Sequence, residues 1–276
     1  MKRRHSSDVP RITSPYLRGR GPLRVIGHRG ALALAPENTL AAFVAGERCG
    51  VDAIEFDVQR TADGVPIVIH DHTLDRTTNG HGAVSVHTFA EIRSLDAGSH
   101  FDRRFAGERV PSLDDLLAWA APRSIGLMLE LKQPSPGTGL PRDTELARAT
   151  VELVRERGLL SRTIFISFDH PSLAKVLEFA PAADVGLLTE GPILIDPLAP
   201  ARALPGARGL HVRWWWVSPE LCAAAHAEGM HVHAWGFGRS GAPEVIRRLA
   251  AWGVDSVSAD APDELLALLN AESLRP

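Results

Sequence analysis

Eight short runs rich in Val and Ile, separated by stretches whose apolar residues recur at helical intervals, constrain this chain more than any other feature of its sequence. Neighbouring parallel strands need a long crossover, usually a helix, so repeated βα units imply a parallel sheet covered by helices. The runs lie at 24–28, 52–58, 125–131, 163–168, 184–189, 209–213, 231–235 and 255–259. Eight of them close an α/β TIM barrel, (β/α)8, for which 276 residues is an ordinary length.

The helices carry their own signals. Asn38-Thr39 opens a run with Leu40, Phe43, Val44 and Glu47. Asp143 opens a helix over 144–157, with an apolar stripe of Leu146, Ala149, Val151, Leu153 and Val154, and Gly158 ends it. Ser218-Pro219-Glu220 opens another over 221–228, closed by Gly229.

One segment breaks the alternation. Asp63-Gly64 between the extended runs 55–60 and 66–70 is a hairpin signal. Counting 66–70 as a barrel strand would make nine, so it belongs to a small insertion after the second strand, at about 59–112. The chain resumes at a helix over 112–119. The division expected is a disordered basic tail over 1–22 and one barrel over 23–276, with 134–141 as a loop at the catalytic end.

Composition removes several classes. The formal charge of -3, from 30 Lys+Arg against 33 Asp+Glu, gives no global field for nucleic acid, and no nucleic-acid partner is expected. Cys49 and Cys222 are far apart and in no zinc spacing, which suits a reducing compartment. The tail carries Lys2, Arg3, Arg4, Arg11, Arg18 and Arg20 against Asp8, without the apolar segment of a secretory signal. No stretch approaches the roughly 18 apolar residues of a membrane span. A soluble cytoplasmic protein is expected, with no stable membrane insertion and weak contact between its tail and anionic lipid.

The chemistry lies on the strands. Side chains alternate in and out, so Glu55 and Asp57 face the barrel lumen while Ile54, Phe56 and Val58 face the helices. Glu130 and Lys132 share the inward face of the third strand. Carboxylates directed into a lumen cost several kcal/mol each unless paired or bound to a cation. Oxygen donors without cysteine suit a hard ion, Mg²⁺ or Ca²⁺, with Mn²⁺ also compatible. The bland alternative, a buried ion pair of Glu130 with Lys132, leaves the two carboxylates of the adjacent strand without a partner. His28-Arg29-Gly30 ends the first strand at the catalytic mouth, and pairing about Asp63-Gly64 would set His70 level with Glu55. Two histidines beside a carboxylate-bound metal suit phosphodiester hydrolysis.

The run His28-Arg29-Gly30, Pro36-Glu37-Asn38-Thr39, Glu55-Phe56-Asp57-Val58, Asp63-Gly64 and His70-Asp71 closely resembles the glycerophosphodiester phosphodiesterase family. Leu74-Asp75-Arg76-Thr77-Thr78, Pro111-Ser112-Leu113, Glu130-Leu131-Lys132, Trp235 and Gly253-Val254-Asp255 with Asp260 extend the likeness over 25–269. The resemblance implies a metal-dependent hydrolase that cleaves a small glycerophosphodiester to glycerol 3-phosphate and an alcohol. It implies His28 and His70 as acid and base, Arg29 and Lys132 at the phosphate, Trp235 against the glycerol end, and Glu55, Asp57 and Glu130 as metal ligands. Where many members follow the tryptophan with Thr-Val-Asn, this chain has Gly236-Phe237-Gly238, so a wider or less polar alcohol pocket is expected.

Three signals stay outside that scheme. His231-x-His233 could face one ion, but it is late and isolated; His211 and Asp169-His170 carry no assigned role. Trp214-Trp215-Trp216 fits either an apolar lip for a lipid-like substrate or a packed cover of the rim. A lysophospholipase D-type hydrolase on the same barrel and a catalytically silent binding barrel are the competing readings. A silent barrel should lack a proton-transfer or metal residue, and none is missing.

Overall fold

The computed structural model describes residues 21–134, 142–190, 196–238 and 243–275, so the basic tail before residue 21 and loop residues 135–141 lie outside the described residues. The described strands are β1 (Arg24–Gly27), β2 (Ala53–Arg60), β3 (Pro66–Val68), β4 (Gly126–Leu131), β5 (Thr163–Ser167), β6 (Asp184–Thr189), β7 (Gly209–Arg213), β8 (His231–Trp235) and β9 (Ser256–Ala259). β1 pairs in parallel with both β2 and β9, which closes the sheet into an eight-stranded parallel barrel. β3 stands outside the closure, antiparallel to β2 through Val58 opposite Val68 and Arg60 opposite Pro66.

Alternation along the strands divides the apolar residues between two cores. Ile54, Phe56, Val58, Leu129, Phe165 and Val185 face outward, where the helices bury them. Ile26, Ala53, Met128, Ile164, Ile166 and Leu188 fill the lumen. Each large side chain fully withdrawn from water contributes about 1.5–3 kcal/mol, so a strand shifted by one residue would forfeit both cores. Ile67, Leu74, Ile92 and Val110 form a smaller cluster under the excursion that follows β3.

The helices start where their caps require. Thr39 Oγ1 accepts from Ala42 N at 3.3 Å ahead of the helix Leu40–Cys49. Ser112 and Asp115 form a reciprocal capping box on Leu113–Ala120, and Ser218 Oγ accepts from Leu221 N at 3.1 Å ahead of Pro219–Ala227. The expected start at Asp143 is not observed: the helix runs Leu146–Glu156. Asp143 instead holds Arg60 through two hydrogen bonds of 2.6 and 2.7 Å. The buried stripe is Leu146, Ala147, Thr150, Val151 and Val154, with Ala149 and Leu153 half-buried at its sides. No helix among the described residues is long and apolar enough to cross a membrane.

Histidines pack the lumen where the aliphatic layer is thin. His211, His231 and His233 are all buried, with His211 Nε2 3.0 Å from His231 Nε2. A Cβ on Gly186 would come within 2.3 Å of His211, and one on Gly209 within 2.2 Å of His231, so the two glycines make room for the rings. His233 lies within hydrogen-bond distance of Ser256 Oγ and Ser258 Oγ, at 2.8 and 2.9 Å. His211 therefore sits inside the barrel, in the middle of β7 and away from the strand ends.

Candidate active site

The turn after β1 places His28 and Arg29. Gly30 has φ +89°, and a Cβ there would lie 2.7 Å from the Ala42 carbonyl oxygen, so only glycine lets the turn press against the first helix. Arg29 itself has φ +49°, a conformation that costs of order 1–3 kcal/mol in a non-glycine residue and must be held by its surroundings. Its backbone N–H donates to Glu55 Oε2 at 3.0 Å, and its guanidinium donates to Glu37 Oε1 at 2.7 Å. Arg29 Nε lies 3.4 Å from Asp57 Oδ2.

Glu55 and Asp57 come from β2 and Glu130 from β4, and the parallel register sets Asp57 directly opposite Glu130. One carboxylate oxygen from each of the three lies within 4.8 Å of the others, and all three residues are buried. Lys132 Nζ stands 2.9 Å from Glu130 Oε1 and 3.5 Å from Asp57 Oδ1. Asn38 Nδ2 donates to Asp57 Oδ2 at 2.8 Å. The expectation that an ion pair of Glu130 with Lys132 would strand the other carboxylates is thus corrected, because Asp57 and Glu55 both have partners. Charge still does not balance: with Glu37 held by Arg76 as well as Arg29, the three carboxylates of Glu55, Asp57 and Glu130 face Arg29 and Lys132.

That imbalance shows in the acidities. Burial, with Asp57 adding repulsion, drives the Glu55 and Glu130 carboxyls upward, Glu130 to about 7. Burial alone would raise Asp57 too, but Lys132, Arg29 and His70 outweigh it and hold Asp57 below the usual carboxylate range. Burial would likewise lower the Lys132 ammonium, and the surrounding carboxylates raise it instead. Three buried oxygen donors carrying excess negative charge fit a hard divalent cation.

His70 arrives by a route different from the expected one. The observed register, Val58 opposite Val68, would if continued set Asp71 and not His70 level with Glu55, but β3 stops at Val68. Gln59 Nε2 ends the pairing by donating to the carbonyls of Ile69, His70 and Asp71 at 3.0, 3.0 and 2.7 Å. The chain turns there and carries the His70 side chain to the mouth.

Each site histidine is backed by a carboxylate: His28 Nδ1 lies 2.6 Å from Asp260 Oδ1, and His70 Nδ1 lies 2.6 Å from Asp71 Oδ1. Arg76 donates to Asp71 and to both oxygens of Glu37, joining the His70 turn to the Arg29 turn. Asp71, Asp260, Glu37, Asn38 and Arg76 lie within the motif runs of the sequence, yet they carried no role there. A carboxylate next to a histidine in sequence could have flagged Asp71. Nothing local could have flagged Asp260.

His28, Arg29, Glu55, His70, Glu130, Lys132 and Trp235 line a single cavity of about 710 Å³ at the C-terminal ends of the strands. Asp57 lies beneath it, almost without exposure. The far side carries Phe168, Glu190, Arg213 and Phe237, none of them singled out by the sequence except Phe237. Trp235 Nε1–H donates to the His211 carbonyl at 3.1 Å, and Phe168 meets its ring edge-on at 5.5 Å. The tryptophan run divides: Trp214 packs on the outer core and stacks on Phe237, while Trp215 and Trp216 are 48% and 42% exposed.

Residues 28–264 match the glycerophosphoryl diester phosphodiesterase family. A glycerophosphodiester phosphodiesterase of Caldanaerobacter subterraneus is 36% identical over 245 residues, covering 89% of this chain and 97% of that protein. The crystal structure of glycerophosphodiester phosphodiesterase from Agrobacterium tumefaciens superposes with a TM-score of 0.75 at 33% identity, covering 89% of this chain and 99% of that one. A phosphodiesterase of Oleispira antarctica, solved in complex with the product sn-glycerol-3-phosphate, gives a TM-score of 0.79 at 28% identity, with 90% and 97% covered. The chain belongs to the glycerophosphodiester phosphodiesterase family of phosphoric diester hydrolases.

Proposed function

We propose that this protein hydrolyses glycerophosphodiesters to glycerol 3-phosphate and a free alcohol, with His28 and His70 dividing the proton transfers. The observation that carries this reading is the pairing of two carboxylate-backed histidines with a buried three-carboxylate cluster over one cavity. A ring whose Nδ1–H donates to a carboxylate leaves Nε2 to gain or give the proton. His28 Nε2 is directed toward the carboxylates, 4.0 Å from Glu55 Oε2. One histidine takes the proton of the attacking oxygen as base and the other protonates the departing alcohol oxygen; water supplies the attacking oxygen directly, or opens the cyclic phosphate that forms if the glycerol 2-hydroxyl attacks first.

Arg29 and Lys132 hold the phosphoryl oxygens, which removes the repulsion a nucleophile meets at a phosphodiester anion. Glu55, Asp57 and Glu130 would hold a divalent cation, Mg²⁺ or Ca²⁺, which when bound supplies Lewis-acid stabilisation of charge on the phosphoryl group. The Glu37 bonds to Arg29 and Arg76, and the Asn38 bond to Asp57, keep this constellation in place before substrate arrives.

The test is release of choline and glycerol 3-phosphate from glycerophosphocholine by the purified protein, with Mg²⁺ or Ca²⁺ supplied. His28→Ala and His70→Ala should each lower kcat by about 10²–10⁴ while the fold survives. No release with any hard divalent ion would sink the assignment, and normal turnover by either variant would remove that histidine from the mechanism.

A further inference from the structure

The groups assigned to chemistry occupy one arc of the barrel mouth: the ends of β1, β2, β4 and β9 with the excursion after β3. A phosphodiester held there must extend one of its two organic arms over the opposite arc, at the ends of β5 to β8. Arg213 is the only permanent cation among the described cavity-lining residues of that arc. It pairs in register with Trp235 across β7 and β8. Its guanidinium carbon lies 4.4 Å from the centre of the Trp235 ring system and 5.0 Å from that of Trp215. Glu190, one residue past β6, accepts from its Nη2.

A guanidinium held over aromatic rings by its charge still has N–H groups that the rings do not use and that can make hydrogen bonds. Gly236 keeps one of these groups open. A Cβ on residue 236 would sit 3.5 Å from Arg213 Nη1, so a larger side chain would close over it. The substitution that removes polar side chains after Trp235 therefore exposes a stronger donor on the neighbouring strand. A guanidinium thus stands beside the position where residues 236 and 238 lack polar side chains.

We propose, resting on the hydrolase reading above, that Arg213 is the specificity residue for the glycerol arm, its guanidinium edge donating to the free glycerol hydroxyls and its charge disfavouring an acyl chain in their place. A hydroxyl pair accepts from a planar fork in a way an ester-linked chain cannot, and burying the fork against methylenes strips it of water without a replacement partner. Two of the aromatic faces at this rim, those of Trp235 and Trp215, are engaged by Arg213 and are not open to a lipid chain.

Calorimetric titration with two probes, sn-glycerol 3-phosphate and inorganic phosphate, separates the glycerol contact from the phosphate contact. Arg213→Leu should weaken glycerol 3-phosphate by about 10- to 100-fold, the worth of hydrogen bonds from a charged donor, and leave inorganic phosphate unchanged. The ratio of kcat/KM for glycerophosphocholine over lysophosphatidylcholine should fall by a similar factor, chiefly through KM. Arg213→Lys, which keeps the charge but not the fork, should show the same selective loss to a smaller degree, and it carries the test if the leucine variant does not fold. Equal weakening of both probes, no weakening of either, or an unchanged substrate ratio would each overturn the proposal. Wild-type protein that binds glycerol 3-phosphate through Arg213 yet cleaves no glycerophosphodiester would overturn the hydrolase reading and leave this subsite standing.

Discussion

Nδ1 of His28 lies 2.6 Å from Oδ1 of Asp260, although 232 residues separate the two in the chain. Barrel closure explains the meeting. β1 and β9 pair with Gly27 opposite Ala259, so the next residue of each strand emerges side by side at the mouth. A carboxylate in that position sets the tautomer and orientation of the ring. Asp260→Asn should lower kcat by about 10- to 100-fold with little change in KM, a smaller loss than His28→Ala. Steady-state kinetics on glycerophosphocholine checks this, and full kcat in the asparagine variant would show that His28 needs no such support.

Metal removal tests the carboxylate cluster. Chelation should abolish turnover, and one hard divalent ion should restore it. Asp57→Asn should raise the Mg²⁺ or Ca²⁺ concentration needed for half-maximal binding, measured by titration of the protein without substrate. Full activity after exhaustive dialysis in excess chelator would exclude a metal from the reaction.

Arg29 distinguishes charge from geometry. Its N–H groups already engage Glu37 and approach Asp57, and a lysine cannot span that pair and a phosphate together. Arg29→Lys should lower kcat/KM by about 10- to 100-fold. A variant with wild-type kcat/KM would confine Arg29 to a structural role.

The lumen histidines predict acid sensitivity. Burial lowers all three, with His233 brought down to about 3; His231 and His28 reinforce this at His233, and neighbouring histidines do so at His211. At His231, Asp184 and Asp255 oppose the burial, with Arg24 acting in its favour. The unfolded chain therefore binds more protons than the folded one as pH falls below about 6.5, so this contribution to stability is whole above that value and shrinks on acidification. Each histidine costs about 1.4 kcal/mol per pH unit across its window. Thermal melts should show the slope between pH 7 and pH 5 flattening in His233→Asn, and an unchanged slope would remove His233 from the effect.

The glycines after Trp235 are committed to their backbone. Gly236 has φ +89° and Gly238 has φ +66°, the left-handed region. Gly236→Ala should cost about 1–2 kcal/mol, and Gly238→Asn less, because asparagine tolerates that conformation. Denaturant unfolding measures both. Equal, negligible losses would mean that the loop relaxes to another path.

The sequence alone determined the barrel, because alternation of β runs with helical stripes is a local pattern that a one-residue slip would ruin. It also determined which faces of β2 and β4 carry carboxylates, since inward and outward positions follow from a period of two. The excursion after β2 was legible for the same reason, from Asp63-Gly64 and the count of runs. Tertiary structure decided what periodicity cannot express. The Gln59 side chain, not the hairpin register, delivers His70 to the mouth. Asp143 left its helix for Arg60, a partner 83 residues away. Asp260 reaches His28 only when the first strand meets the last, and Arg213 gains the Trp235 ring and the Glu190 carboxylate from two other segments of the chain. Such contacts depend on closing long loops, and the residues on either side of a loop hold no trace in their own neighbourhoods of the partner that closure will bring.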